Sequence, residues 1–202
     1  MRRLTNAQMN SEKTDGELIA EFKSGTAAQK EKAFAELLRR HREPIYWVCR
    51  RLLNTHDDAD DVTQTVFLKI FRALPNFQEE AQFSTWAYKI ATNESLNFLR
   101  AKAVRHTESL DALEADSAIM KGDSKRPDEE LERAEERQAI EAAIASLPEK
   151  QRAVFVMRYY DELTFEEIAN IVGGSVGGLK ANYFHAFKKV SEYLKRALKN
   201  EP

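Results

Sequence analysis

Cysteine is almost absent from this chain: among its 202 residues only Cys49 carries a thiol. A single cysteine excludes an intramolecular disulfide and any cysteine-rich zinc site. Next to Val48 in an apolar-periodic stretch, it reads as a small buried side chain. Glycine and proline are scarce too, at 7 and 5 residues, which argues against a strand-rich fold built on many tight turns. The four histidines (His41, His56, His106 and His185) have no ligand partner three or four residues away, so neither a metal site nor a cofactor is expected. There is no Gly-rich phosphate loop and no Ser/His/Asp or Cys/His arrangement, so the chain does not read as an enzyme. The first thirteen residues are basic but lack the apolar core of a signal peptide, and no apolar run approaches membrane-spanning length. A cytoplasmic protein without membrane insertion is the expectation.

What is present favours helix. Charged residues make up 32% and hydrophobic residues 43%, and Leu, Ala, Glu, Lys and Arg dominate the stretches between prolines. The net charge of −2 hides an uneven distribution. Residues 1–105 hold 17 Lys/Arg against 14 Asp/Glu, residues 106–140 hold 5 against 11, and residues 141–202 hold 9 against 8. The acidity is therefore concentrated between two lobes that are near neutral or slightly basic.

Hydrophobic periodicity places the helices. The first starts near Asp15, taken as its N-cap, and carries Leu18, Ile19 and Phe22 up to Ser24-Gly25. A longer helix follows with Phe34, Leu37, Leu38, His41, Ile45, Val48 and Leu52 on one stripe, and Pro44 predicts a kink or break within it. Asn54–Asp57 read as a turn. A helix over Asp58–Leu74 puts Val62, Val66, Ile70 and Leu74 on one face. Asp57, Asp58, Asp60 and Asp61 suit the positive end of its dipole, a helix-start role that fits them better than metal binding. Pro75 stops it. After the polar loop Asn76–Gln82, Ser84 or Thr85 caps a helix running to about Lys102. Residues 106–127 read as a flexible acidic linker. Asp128 caps a helix through Ser146, Pro148 opens the next, and Asp161-Glu162 turn the chain.

From Thr164 to about Lys189 the pattern is a helix-turn-helix. Thr164 and Glu167 form a capping box; Phe165, Ile168, Ala169 and Val172 face inward; Gly173-Gly174 make the turn; Ser175 caps the second helix. Val176, Leu179 and Tyr183 pack back on the first, and the small Ala169 lets the two helices cross closely. The second helix then exposes Lys180, Ala181, Phe184, His185, Lys188 and Lys189, a surface sized and charged for a major groove. By itself the motif also fits an ordinary helical hairpin with a basic solvated face.

Leu147–Leu194 resembles region 4 of the extracytoplasmic-function (ECF) sigma factors, a branch of the sigma-70 superfamily. Its Leu147-Pro148 followed by Arg152, its Leu163-Thr164-Phe165-Glu166-Glu167-Ile168-Ala169 and its Ser175-Val176-Gly177 carry the likeness. Asp58-Ala59-Asp60-Asp61-Val62-Thr63-Gln64-Thr65-Val66-Phe67 and Phe83-Ser84-Thr85-Trp86-Ala87-Tyr88-Lys89-Ile90-Ala91-Thr92-Asn93 independently resemble region 2 of that family. The resemblance implies an all-α protein of two small helical domains, residues 1–105 (region 2) and 128–202 (region 4), joined by a flexible acidic linker at 106–127. It implies core RNA polymerase and promoter DNA as partners, with an anti-sigma factor as a further candidate. Asp61, Gln64 and Thr65 would then dock on the polymerase clamp, and Thr65 replaces the usual Glu there.

Asn76, Phe83, Trp86, Lys89, Asn93, Asn97 and Arg100 would bind the melted −10 element. Lys89, Asn93 and Asn97 recur every four residues, and asparagine is a poor choice for a helix interior. Amides on one face suit the edges of unpaired bases, with Lys89 and Arg100 on phosphates. The loop Asn76–Gln82 stands where the family captures a flipped-out base, so binding energy offsets unstacking. Trp86 has two readings, core side chain or wedge against the first melted pair. The −35 duplex would meet Arg152, Ser175, Gly177, Gly178, Lys180, Ala181, Phe184, His185 and Lys188. Several basic family positions are replaced here: Ala181-Asn182 and Phe184-His185-Ala186-Phe187 thin out the usual donors, which predicts weak or altered −35 recognition. A stand-alone helix-turn-helix regulator working without polymerase, or a helical interaction protein with no DNA role, are the rival readings. The regulator leaves the N-terminal match unexplained; the interaction protein would be a degenerate member of the family, and loss of promoter-directed transcription in a reconstituted assay would favour it.

Overall fold

The computed structural model describes residues 13–53, 55–78, 82–109 and 138–197, the side chains of 106–109 excepted. Those residues contain helices and no strand. The helices are α1 (Asp15–Ser24), α2 (Ala27–Leu52), α3 (His56–Ala73), α4 (Phe83–Ser109), α5 (helical residues 138–145), α6 (Glu149–Tyr159), α7 (Phe165–Val172) and α8 (Val176–Ala197), with a 3-10 turn at Leu74–Asn76 after α3. α1–α4 form one lobe and α5–α8 a second.

Threonine starts four of these helices. The N-cap of α1 is Thr14, one residue before the expected Asp15: the Thr14 hydroxyl accepts from Glu17 N–H at 3.3 Å, and Thr14 N–H donates to the Glu17 carboxylate at 2.7 Å. Glu at the third helical position closes this box, which Asp15 as cap would not allow. Asp15 instead occupies the first turn, where its carboxylate meets His41 Nε2 at 2.7 Å and Arg40 at 3.3 Å. Thr26 with Gln29 and Thr164 with Glu167 repeat the box, and Thr55 caps α3 by accepting from Asp58 N–H at 3.1 Å.

Of the kink or break expected at Pro44 the break does not occur: α2 runs through it as one helix. Proline inside a helix costs about 3 kcal/mol, but Ala33 and Leu37 before it and Ile45, Val48, Cys49 and Leu52 after it are all buried in one core. Burying each large apolar side chain contributes roughly 1.5–3 kcal/mol, so packing on both sides of Pro44 outweighs the lost backbone bond. α3 buries Ala59, Val62, Thr63, Val66, Phe67 and Ile70, and Pro75 ends it by forcing the 3-10 turn, with Leu74 fully buried. α4 begins at Phe83, ahead of the expected Ser84 or Thr85 cap: Phe83 is buried against the rings of His41 and Phe77, and the first turn closes from Trp86 N–H to the Gln82 carbonyl at 3.1 Å. α4 continues past Lys102 to Ser109, so residues 106–109 are helical. The remainder of the expected linker, and the Asp128 cap, lie outside the described residues.

α6 has no solvated face in its middle. Arg152, Ala153, Val154, Phe155, Val156 and Met157 are consecutively buried, as in a helix enclosed on all sides. It packs on α8 and α7 of its own lobe and on α2 and α4 of the first, and the buried side chains of both lobes form one continuous cluster.

Ile70 is fully buried, whereas Leu68, two residues earlier, is 58% exposed. Ile70→Ala should cost about 2–5 kcal/mol in urea unfolding. Leu68→Ala should change stability by no more than about 0.5 kcal/mol.

Candidate nucleic-acid and partner interfaces

The expected polymerase-facing residues share one exposed side of α3. Asp61, Gln64 and Thr65 are all exposed there, opposite the Val62/Val66/Ile70 stripe. Thr65 donates its hydroxyl to the Asp61 carbonyl at 3.0 Å, which leaves that side chain turned back on its own helix. The same side continues into Leu68 and Phe71, 58% and 46% exposed. Sequence reasoning missed these two, although both fall off the buried stripe by helical spacing. Phe71 sets its edge against Phe22 and Phe34, with centroids 5.3 and 5.0 Å away.

Along α4, Lys89, Asn97 and Arg100 are exposed and Asn93 is half-buried. Arg100 donates to Asn97 Oδ1 at 3.2 Å and pairs with Glu149 of the second lobe at 2.8 Å. Lys102 pairs with Asp58 and Lys69 with Glu94, both at 2.7 Å, which binds α4 to α3 beside this stripe. Asn76 is exposed just after Pro75; of the loop that follows, residues 79–81 lie outside the described residues.

The aromatic pair splits. Phe83 is 4% exposed, so it builds the wall under this surface and does not face outward with the amides. Trp86 is half-buried on Phe77, 4.7 Å between centroids, with Phe83 at 5.9 Å. That position supports its core reading while leaving one side open. Lys23 donates to the Phe77 carbonyl at 2.6 Å and fixes the floor of the same cluster.

The helix-turn-helix forms as its residues dictate. Thr164 donates its N–H and its hydroxyl to the Glu167 carboxylate at 2.7 and 2.8 Å, bonds that hold that carboxyl below its ordinary range, and Glu167 N–H donates back to Thr164 Oγ1 at 3.2 Å. Gly173 and Gly174 turn the chain at φ 76° and 96°, values that L side chains resist. Ser175 Oγ accepts from Gly178 N–H at 3.1 Å. Ile168 and Leu179 are buried, with Phe165, Ala169, Val172 and Tyr183 packed against them. Ile171 is buried too, an inward position the spacing argument passed over.

Lys180, Ala181, Phe184, His185, Lys188 and Lys189 are exposed as expected, as are Ser175, Gly177 and Gly178. Phe184 and Phe187 are 66% and 51% exposed, and Lys180 lies over the Phe165 ring at 5.8 Å. Only three cations therefore stand on a face whose largest members are aromatic.

Arg152 departs from expectation. Counted with the −35 face, it is instead 7% exposed and donates to the carbonyls of Leu52 at 3.1 Å, Leu147 at 3.3 Å, and Ala145. Its guanidinium is directed at helix ends inside the protein, and burial lowers its pKa. Around it the lobes meet through further polar pairs. Asp161 accepts from Tyr88 Oη at 2.6 Å and pairs with Arg51. Arg50 pairs with Glu141 at 3.1 Å, and Arg51 lies over the Tyr160 ring at 5.4 Å. Burial pushes the Asp161 carboxyl up against the opposing pull of Tyr88 and Arg51. Burial, and then the Asp161 charge, push the Tyr88 phenol up. None of these partners across the lobes was legible from local sequence.

Residues 37–105 match the family profile for Sigma-70 region 2, and residues 137–190 match that for Sigma-70, region 4. The chain is 31% identical over 196 residues to the RNA polymerase sigma-H factor of Pseudomonas aeruginosa, covering 95% of this chain and 99% of that protein. It is 34% identical over 182 residues to the ECF RNA polymerase sigma-E factor of Escherichia coli K12, covering 88% and 93%. Two solved structures share the fold at 23% identity. One is the sigma factor RpoE in complex with the anti-sigma factor NepR from Bartonella quintana, with TM-score 0.62 over 81% of this chain and 98% of that one. The other is CnrH in complex with the cytosolic domain of CnrY, with TM-score 0.58 over 89% and 96%.

Two measurements check the helix-turn-helix. Gly174→Ala should lower stability by about 1–2 kcal/mol, the usual cost of a side chain in left-handed backbone; Gly177→Ala, in open space, should not lower it. The capping carboxylate gives a pH signature. Its lowered pKa means that Glu167 stabilises α7 fully above the ordinary carboxylate range, and the contribution disappears as pH falls through the lowered value. Amide exchange in the first turn of α7 should therefore accelerate in acid, and Glu167→Gln should flatten that dependence.

Proposed function

The chain belongs to the sigma-70 family of RNA polymerase sigma factors, in its extracytoplasmic-function branch, and from that premise we propose how its surfaces divide the work of initiation. The α3 side carrying Asp61, Gln64 and Thr65 docks on core RNA polymerase, with Leu68 and Phe71 extending the contact. The α4 stripe of Lys89, Asn93, Asn97 and Arg100 holds the separated −10 strand, and Asn76 adds to it from the 3-10 turn after α3. The α8 face of Lys180, Ala181, Phe184, His185 and Lys188, entered past Ser175, Gly177 and Gly178, lies on the −35 duplex. The working units are residues 1–105 and 128–202, with 106–127 between them. The protein acts in the cytoplasm, where polymerase and promoters are, and drives melting by binding energy, without catalysing a reaction.

The observation that carries this reading is the amide stripe. Asn93 and Asn97 offer donors and acceptors toward unpaired base edges, and Lys89 and Arg100 flank them with charge for phosphates. A stand-alone regulator would have no use for that stripe. The −35 contact is proposed as weak because Lys180 and Lys188 are the cations among the α8 residues assigned to it, and Arg152 is left out of it because its guanidinium is buried. Control by an anti-sigma factor is proposed as well; it is supported by the two fold neighbours, each solved with such a partner or with a partner's cytosolic domain.

Reconstituted runoff transcription with core polymerase tests the reading. Asn93→Ala combined with Asn97→Ala should cut open-complex formation at least tenfold while leaving polymerase affinity unchanged; normal opening would remove the −10 assignment. Scrambling the −35 element should weaken holoenzyme binding by less than about tenfold. A sharp reader would lose far more, since each mismatched pair typically costs about 1–3 kcal/mol.

A further inference from the structure

α1 has no part in the proposed promoter or polymerase contacts, and it lies ahead of the residues that match the region 2 profile. It is firmly fixed all the same: the Thr14–Glu17 box starts it, and Leu18, Ile19 and Phe22 anchor it in the core. Burial does not account for two polar contacts that it sends, one from each end, to the aromatic cluster beside the α4 stripe. From its last turn Lys23 donates to the Phe77 carbonyl at 2.6 Å, with the ammonium 5.9 Å from the Phe77 ring centroid. From its first turn Asp15 meets His41 Nε2 at 2.7 Å. An ionised carboxylate only accepts, so Nε2 carries the proton and the imidazole is held in one orientation. The His41 ring then stands against Phe83 at 4.9 Å and 64°. Arg40 backs the pair, donating to Asp15 at 3.3 Å and to the Lys13 carbonyl at 2.6 Å, and is itself held by Glu36 at 2.7 Å.

Phe77 closes the 3-10 turn and Phe83 opens α4, so the two rings stand at either end of the connection between them. Trp86 rests on both, at 4.7 and 5.9 Å. α1 therefore grips this cluster at both of its edges. Hydrophobic burial is non-directional: it keeps Phe77 and Phe83 inside without setting the attitude of their rings. The Lys23 hydrogen bond and the Asp15-oriented imidazole supply that direction. A base stacks best on aromatic planes already in place, because ordering them during binding would consume part of the stacking energy. On the strength of the proposed −10 contact, we propose that Lys23 and the Asp15–His41 pair are positioning residues for base capture. They set the Phe77 and Phe83 rings, and through them the open side of Trp86, on which one unpaired base of the −10 strand stacks. All three act through the rings and make no contact with the base.

The experiment uses holoenzyme formed from the full chain and core polymerase. Its probe is a promoter duplex whose −10 segment is opened by mismatches, with an abasic site placed at each −10 position in turn. For wild type, removing the base at one position should weaken binding about tenfold, the loss of one base–aromatic stack. Lys23→Met and, separately, Asp15→Ala should each shrink that penalty to below about threefold, while the penalties at the other positions stay as they were. Lys23→Arg, which keeps a donor, and Asp15→Asn, which keeps an acceptor for His41, should restore it. Two variants from opposite ends of α1, each checked for helicity by circular dichroism, guard against one failing to fold. A helix that only supported the fold would give even weakening across the segment, or loss of polymerase affinity, and either result would overturn the proposal. An unchanged penalty in both folded variants, or no restoration by either conservative one, would overturn it too. If wild type shows no such position, base capture itself falls and the positioning role with it. Loss of the amide stripe's role would instead show in the Asn93/Asn97 variant, whatever the abasic scan reports.

Discussion

The constraint on which this structure turns is that α6 is apolar around its circumference. Ala153, Val154, Phe155, Val156 and Met157 leave no side for water, so the helix must be enclosed. Its own lobe supplies α7 and α8; the remaining side is covered by α2 and α4. Once α6 sits there, its flanking polar groups enter the junction as well, and each must find a partner or carry the cost of desolvation. Arg152 finds helix-end carbonyls, and Asp161 finds Tyr88 and Arg51. The apolar surface gives the junction its area, and the polar pairs fix its register.

The same arrangement accounts for the character of the proposed DNA surfaces. The α4 stripe lies beside the junction without being covered by it: Tyr88, Thr92 and Leu96 turn inward while Lys89 and Asn97 stay in solvent and Asn93 sits at the margin. Phe77, Phe83 and Trp86 form a rigid aromatic floor under the start of that stripe, and an unpaired base would meet a preformed surface there. On α8 the scaffold is firm, with a capping box, two left-handed glycines and a serine cap, yet the outer face carries Phe184 and Phe187 where charge would give affinity. A sound frame with few phosphate donors suits an element that orients polymerase more than it discriminates among sequences.

Much of the fold was legible in the sequence because most of the helices state their own apolar side. The Val62/Val66/Ile70 stripe, the Thr164–Glu167 box and the Gly173-Gly174 turn are encoded within a few residues and appear as read. The misses have physical causes. Thr14 displaced Asp15 as cap because the glutamate that closes the box lies three residues after Thr14. Pro44 left α2 unbroken because burial on both of its sides exceeds the cost of one missing backbone bond. Phe83 started α4 early because its ring is anchored by Phe77 and by His41, the latter far from it along the chain. Leu68 and Phe71 lie off the buried stripe of α3, and apolar side chains that packing leaves exposed carry no periodic signal of their own.

The sequence by itself determined the helices, their buried faces, the family and the outward position of most of the proposed contact residues, because periodicity and capping act over one or two turns. Only the tertiary structure decided what Arg152 and Asp161 do. A basic residue near a helix start reads as a solvent-facing DNA contact, and an acid in a turn reads as a surface charge. Their partners Leu52 and Arg51 stand 100 and 110 residues away along the chain. No local pattern records such a pairing; it exists because an all-apolar helix had to be enclosed, and the lobe that covers it brought those partners along.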